Sequence, residues 1–195
     1  MINADGFGCK LTSGEGNVFR GCKSHHNLDD GWDLYTKVNT GAIGAVTLED
    51  CVSYKNGYRL NEDGTETPYG KGGNNGFKLG GENVGVKHRL INCEAYCNAN
   101  NGVTTNSNPF LYLENVVCHD NEGPNFSIYS DKPEEFSYDI NGVVSYNGGL
   151  DDVVATINED TEYTNASDLP ILSDINYFTF NGVSANASGE AAPQE

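Results

Sequence analysis

An all-β solenoid, a parallel β-helix of about seven coils, is the fold class the sequence predicts, and three observations predict it. The first is a recurring phrase: Phe19-Arg20-Gly21-Cys22, Leu48-Glu49-Asp50-Cys51, Leu90-Ile91-Asn92-Cys93, Leu113-Glu114-Asn115-Val116, Ile140-Asn141-Gly142-Val143 and Phe180-Asn181-Gly182-Val183. Its spacings of 23 to 29 residues, stretched to 42 and 40 where loops are inserted, suit a stack in which each unit leans on its neighbours. The second is that the units are short apolar runs punctuated by Asn and Gly, with no helical period, and so read as strands. The third is composition: 24 glycines and 37% hydrophobic residues in a 195-residue chain fit coils that turn sharply around a narrow core.

Taken in order, Met1-Ile2-Asn3-Ala4-Asp5 enters the repeat at once. The expectation is one β-helix domain over residues 1–184 that starts mid-coil, lacks N-terminal coils and has no leader peptide. Asp5-Gly6-Phe7 is echoed by Asp30-Gly31-Trp32-Asp33-Leu34, by Asn75-Gly76-Phe77-Lys78-Leu79 and, more weakly, by Asn101-Gly102-Val103. Equivalent positions in stacked coils lie about 4.8 Å apart. One column then holds Asp5 and Asp30, and another holds Asp33 and Lys78. Cys22, Cys51 and Cys93 share one repeat position that valine takes later, which predicts an inward apolar stack and no redox or metal role. Six cysteines, at 9, 22, 51, 93, 97 and 118, are too few for a disulfide scaffold. Asn27, Asn56, Asn98 and Asn147 recur before turns and are expected to stack as a hydrogen-bonded ladder. Tyr58 to Asn74 reads as a polar insertion bordering a binding face. After Gly149 an acidic stretch interrupts the repeat as a surface loop until Tyr177-Phe178-Thr179-Phe180, and residues 185–195 read as a disordered tail or linker.

A net charge of −17, from 28 acidic and 11 basic residues, argues against nucleic acid or an anionic membrane as partner and favours cations. A polyanionic substrate would be repelled unless a bound divalent ion inverted the local sign. No run of 18 apolar residues is present, which excludes a transmembrane helix.

Asp29-Asp30-Gly31-Trp32-Asp33 places three carboxylates within five residues, on the shortest acidic side chain and around a turn. Taken alone, Asp-Gly is an ordinary turn signal. Stacking Asp5 on Asp30 alters that reading, because like charges opposed on adjacent strands destabilise unless something neutralises them. A calcium site is the expectation. Lys78, alone a surface lysine, stands beside that acidic column between glycines and becomes a candidate general base. His25, His26, His88 and His119 form no metal spacing or triad, and no helix follows Gly14-Glu15-Gly16 to make a dinucleotide site.

Asp5-Gly6-Phe7, the run from Lys10 to Cys22, Asp29-Asp30-Gly31-Trp32-Asp33-Leu34-Tyr35-Thr36-Lys37 and Asn75-Gly76-Phe77-Lys78-Leu79-Gly80-Gly81 resemble the central coils of polysaccharide lyase family 9, the right-handed β-helix pectate lyases. The likeness is close over residues 3–81 and looser to about 150. It implies Ca2+ held by Asp5, Asp29, Asp30 and Asp33, with Lys78 as the base in β-elimination of polygalacturonate. A lysine beside a divalent cation and partly desolvated is expected to have its pKa lowered from about 10.4 towards 8. Lys10, Lys37, Arg59 and Lys71 are candidate anchors for uronate carboxylates. A monomeric, secreted enzyme is the corresponding expectation. Two alternatives stay open: a pectin hydrolase using Asp29, Asp30 and Asp33 as acid and base, and a noncatalytic polysaccharide-binding β-helix.

Overall fold

Three parallel sheets run the length of the molecule, which a computed structural model describes over residues 4–69, 71–132, 137–150, 152–156, 177–180 and 183–186. The first sheet stacks Phe7–Gly8, Trp32–Asp33, Phe77–Lys78, Val103–Thr104, Phe126–Ser130 and Val153–Thr156. The second stacks Val18–Arg20, Thr47–Glu49, His88–Ile91, Phe110–Glu114 and Ser137–Asn141. The third stacks Lys23–His25, Val52–Tyr54, Glu94–Tyr96, Val117–His119, Val143–Tyr146 and Tyr177–Phe180. Each coil gives one strand to each sheet, which makes the chain the predicted β-helix. Five complete coils are described, with a sixth begun at Val153, in place of about seven. The number falls because insertions lengthen individual coils.

Alternation within each strand builds the core. In the second sheet Phe19, Leu48, Leu90, Leu113 and Ile140 fall in one register column, and the last four are fully buried. In the first sheet the column is Phe7, Trp32, Phe77, Val103 and Phe126. Its first three rings stack at 4.8 and 4.9 Å, close to the strand spacing itself. The third sheet carries an outward stack, His25, Tyr54, Tyr96, His119 and Tyr146, with centroids 4.8 to 5.1 Å apart.

The recurring phrase read from the sequence marks the corner between the second and third sheets. Gly21, Asp50, Asn92, Asn115 and Gly142 each sit there with φ between 52° and 62°. Glycine, asparagine and aspartate tolerate that left-handed conformation best, so one residue turns the chain. The next residue points inward: Cys51 and Cys93 are buried as expected, with Cys22 half-buried on the first coil and Val116 and Val143 above. The last phrase departs from the repeat. Val183–Asn186 pairs antiparallel with Tyr177–Phe180, which itself joins the third sheet, so this end is a hairpin and no further coil. Strand Val153–Thr156 lies inside the stretch expected to be loop, and strand Val183–Asn186 runs into the expected tail. The rest of that loop and tail, 157–176 and 187–195, lies outside the described residues.

At the corner after the third sheet, an amide ladder crosses the coils. Asn27 Nδ2 donates to Asn56 Oδ1 (2.7 Å), Asn56 to Asn98 (2.8 Å), Asn98 to Asn121 (2.9 Å) and Asn121 to Asn125 (2.8 Å). Asn147, expected in this ladder, stands instead in the left-handed turn column with His26, Lys55, Cys97 and Asp120, all near φ 53°. Register explains the shift, because His119 pairs with Tyr146 and so aligns Asn147 with Asp120, one residue short of Asn121. The polar insertion folds into a hairpin, Tyr58–Leu60 against Glu66–Pro68.

Candidate active site

The outward residues of the first sheet build the site. Gly8, Asp33 and Lys78 are register partners on three successive coils, and the same register brings Asp5 next to Asp30. Oxygens of Asp5, Asp30 and Asp33 all lie within 4.8 Å of one another. Lys78 Nζ stands 3.1 Å from Asp30 Oδ2 and 3.5 Å from Asp33 Oδ1. Two strand-adjacent columns therefore converge as the sequence predicted, across 73 positions of chain from Asp5 to Lys78.

Asp30 is fully buried, and its Oδ1 accepts from both the backbone N (2.9 Å) and Nδ2 (2.8 Å) of Asn75. Burial dominates its titration and pushes its pKa up to about 6, against the pull of Lys78. Asp33 Oδ1 also accepts the amide of Tyr35 at 3.1 Å. Lys10 Nζ bridges Asp5 Oδ2 and Asp33 Oδ2, 2.6 Å from each. Burial works to lower the Lys10 pKa, but the hydrogen bonds it donates to Asp33 and Asp5 overcome that and raise the value.

At Lys78 desolvation acts to lower the pKa, as expected of a partly buried lysine, but with carboxylates alone around it the charges of Asp30 and Asp33 outweigh that and raise the value. Among the described residues, four carboxylates, Asp5, Asp29, Asp30 and Asp33, face two ammonium groups, Lys10 and Lys78. That residual double negative charge, offered by hard oxygen donors and partly desolvated, fits a divalent cation such as calcium.

Other predicted residues are less closely gathered. Asp29 is buried beside Asp30 but outside the trio, its Oδ1 accepting from the Gly73 amide. Gly72 and Gly73 pass so near Asp29 and Asp30 that a Cβ at either position would meet their carboxylates. The far leg of the insertion thus closes one side of the site, which explains its glycines. Lys37 lies on the Tyr35 side, with Nζ 5.7 Å from that ring's centroid. Arg59 is on the hairpin and Lys71 just before Gly72, both exposed and without an ion pair among the described residues. Sequence reading missed Asn75, although its echo of Asp30 was visible in Asn75-Gly76-Phe77. It also missed Tyr35 and Glu82, joined by a hydrogen bond of 2.9 Å, for which the sequence held no signal.

Comparison with known proteins agrees with this fold. The family described as "Pel9A-like, right handed beta helix region" matches residues 1–141. Similar curated proteins include "Pectate lyase L" of Thermoclostridium stercorarium, 45% identical over 188 residues, covering 96% of this chain and 14% of that protein. "Pectate lyase L" of Paenibacillus polymyxa (strain SC2) is 44% identical over 159 residues, covering 81% of this chain and 33% of that protein. "Pectate disaccharide-lyase" of Dickeya chrysanthemi is 38% identical over 149 residues, covering 76% of this chain and 18% of that protein. The solved structure titled "Crystal structure of pectate lyase Pel9A" superposes with a TM-score of 0.54 at 25% identity, over 98% of this chain and 45% of that one. The chain therefore spans a third or less of these curated relatives and under half of that structure.

Proposed function

The chain belongs to the Pel9A-like right-handed β-helix family, and from that premise we propose that it is a pectate lyase, cleaving α-1,4-polygalacturonate by calcium-assisted β-elimination. The products are 4,5-unsaturated oligogalacturonates. One observation carries the reading: Lys78 Nζ stands within 3.1 to 3.5 Å of two carboxylates of a trio suited to a hard cation. The names of the relatives supply the substrate class.

Asp5, Asp30 and Asp33 would hold the ion, with Asp29 as fourth ligand through the oxygen that Gly73 does not engage. Calcium, when bound there, masks the uronate carboxylate and makes the neighbouring C5 proton acidic. Neutral Lys78 takes that proton. The C5–H electron pair becomes the C4=C5 double bond, the C4–O bond breaks, and the leaving oxygen takes a proton from solvent. Lys78 accepts a proton only when neutral, so the pull of Asp30 and Asp33 on its ammonium has to be offset in the loaded site. Lys37, Lys71 and Arg59 are proposed anchors for uronate carboxylates. Lys10, bonded to Asp5 and Asp33, serves first as their counter-ion and then as a nearby positive charge for the polymer. The protein is proposed to act outside the cell, as a monomer.

Digestion of polygalacturonate with and without a chelator, followed by ultraviolet absorbance of the new double bond, tests the reading. Absorbance should rise only with calcium. Reducing ends formed without absorbance, and without regard to chelator, would indicate hydrolysis. Binding with no product would indicate a noncatalytic module.

A further inference from the structure

We infer that Tyr35 is a positioning residue for Lys78, its ring being the platform that fixes where the lysine's Nζ stands before it sheds its own proton and acts as the base. This deepens the lyase reading and rests on it. Lys78 Nζ lies 5.2 Å from the centroid of the Tyr35 ring. A cation within about 6 Å of an aromatic face is attracted by the ring's quadrupole. The two carboxylates that contact Lys78, Asp30 and Asp33, draw the ammonium towards the cation pocket. The ring supplies a competing, uncharged contact at the end of a four-carbon stem that would otherwise sample many rotamers.

The ring is itself clamped. Its backbone N–H donates to Asp33 Oδ1 at 3.1 Å, tying Tyr35 to one of the proposed ligands. Its hydroxyl donates to Glu82 Oε1 at 2.9 Å, while Glu82 Oε2 accepts the Val38 amide at 2.9 Å. Accepting from the phenol enriches the ring in electron density, which strengthens its hold on a cation. Thr36 Oγ1 donates to the Gly81 carbonyl at 2.8 Å, drawing the two segments together. A Cβ at Gly81 would run into Cδ2 and Cε2 of Tyr35. The glycine after Lys78-Leu79-Gly80 is therefore the space the ring occupies. Tyr35 follows the strand that carries Asp33, and Glu82 follows the strand that carries Lys78, so the clamp joins the same two coils as the reacting groups.

The test uses the full chain with calcium and polygalacturonate. Tyr35→Leu should lower kcat about 10- to 100-fold with KM and calcium affinity within about twofold, because orientation and not binding is lost. Tyr35→Phe keeps the ring but loses its bond to Glu82, so it should lower kcat only by an intermediate factor of about three- to tenfold. Glu82→Ala frees the ring without emptying its place and should lower kcat by an intermediate factor, which covers the case of a poorly folding Tyr35→Leu. A second readout needs no turnover. In lysine-labelled protein the Lys78 ε-methylene resonance, assigned through Lys78→Arg, should be displaced upfield by the ring in wild type and Tyr35→Phe and return to the random-coil position in Tyr35→Leu. Wild-type kcat in Tyr35→Leu, or an unchanged resonance, would overturn the inference. Absence of unsaturated product from the wild type would instead overturn the lyase reading, and the resonance would still decide whether ring and lysine are paired.

Discussion

Two ladders cross the same coils and end differently. At the corner after the third sheet, Asn27, Asn56, Asn98, Asn121 and Asn125 pass hydrogen bonds from amide to amide, and every group after Asn27 both accepts and donates. At the position before the first sheet, Asn101 Nδ2 donates to Asn75 Oδ1 (2.7 Å) and Asn75 Nδ2 donates to Asp30 Oδ1 (2.8 Å). There the sequence of donors stops, because a carboxylate only accepts, and the next rung is another carboxylate, Asp5. Identical stacking geometry thus gives a self-satisfied column where the side chains are amides and a demand for cations where they are acids. Lys10 and Lys78 meet part of that demand.

The sharpest test of this contrast is Lys78→Ala, which should lower the rate of elimination by about 10² to 10⁴. Calcium affinity, measured by titration calorimetry, should remain nearly intact, because the oxygen donors are untouched. Wild-type kcat in this variant would end the assignment of the base.

Breaking the other ladder should affect folding and leave the reaction alone. Asn98→Ala removes the acceptor of both the N–H and the Nδ2 of Asn56, inside a fully buried site. The expected loss is about 3 kcal/mol in denaturant unfolding, with calcium affinity unchanged. A loss below about 1 kcal/mol would show that water repairs the ladder.

Much of this was legible in sequence, for a physical reason. Parallel stacking copies position from coil to coil, so Asp5, Asp30, Asp33, Lys78 and the Cys22, Cys51 and Cys93 column could be aligned by phrase alone. What failed was one-residue register, as with Asn147, and anything fixed by inserted chain, such as Gly72 and Gly73 against Asp29. The proposed clamp on Lys78 was invisible too, since Tyr35 and Glu82 are 47 positions apart with no repeat relating them.

A smaller effect concerns a buried neutral group that belongs to neither ladder. His88 is fully buried, its Nδ1 accepts the Val46 amide at 3.1 Å, and burial lowers its pKa to about 4. The unfolded chain takes up a proton near pH 6.5 and the folded one only near 4, so stability is lost as pH falls between those values. From pH 7 to 5 the expected loss is about 2 kcal/mol. Asp30, raised to about 6, acts oppositely: its stabilisation is present at low pH and lost as pH rises through 6. Comparing wild type with His88→Gln cancels that shared contribution, and the difference in unfolding free energy should narrow by about 2 kcal/mol over this range. A constant difference would mean that His88 is not buried neutral.

The smallest expected effect converts one ladder into the other. Asp30→Asn supplies an amide where the donors stop and removes a buried charge, so calcium-free protein should gain about 1 kcal/mol at pH 8 while calcium binding is lost. Destabilisation would mean that the Asp30–Lys78 pair outweighs the cost of burying the charge.

The chain's single tryptophan gives these coils an optical signature. Trp32 is fully buried, stacked between Phe7 and Phe77, and its neighbour in sequence is Asp33. Its emission belongs to the three coils that build the site, while the tyrosines of the third-sheet stack, Tyr54, Tyr96 and Tyr146, extend into the later coils. Selective excitation of the indole therefore follows separation of the site coils alone. A red shift that precedes the change in tyrosine absorbance during unfolding would show the solenoid opening from the coils that hold the candidate site.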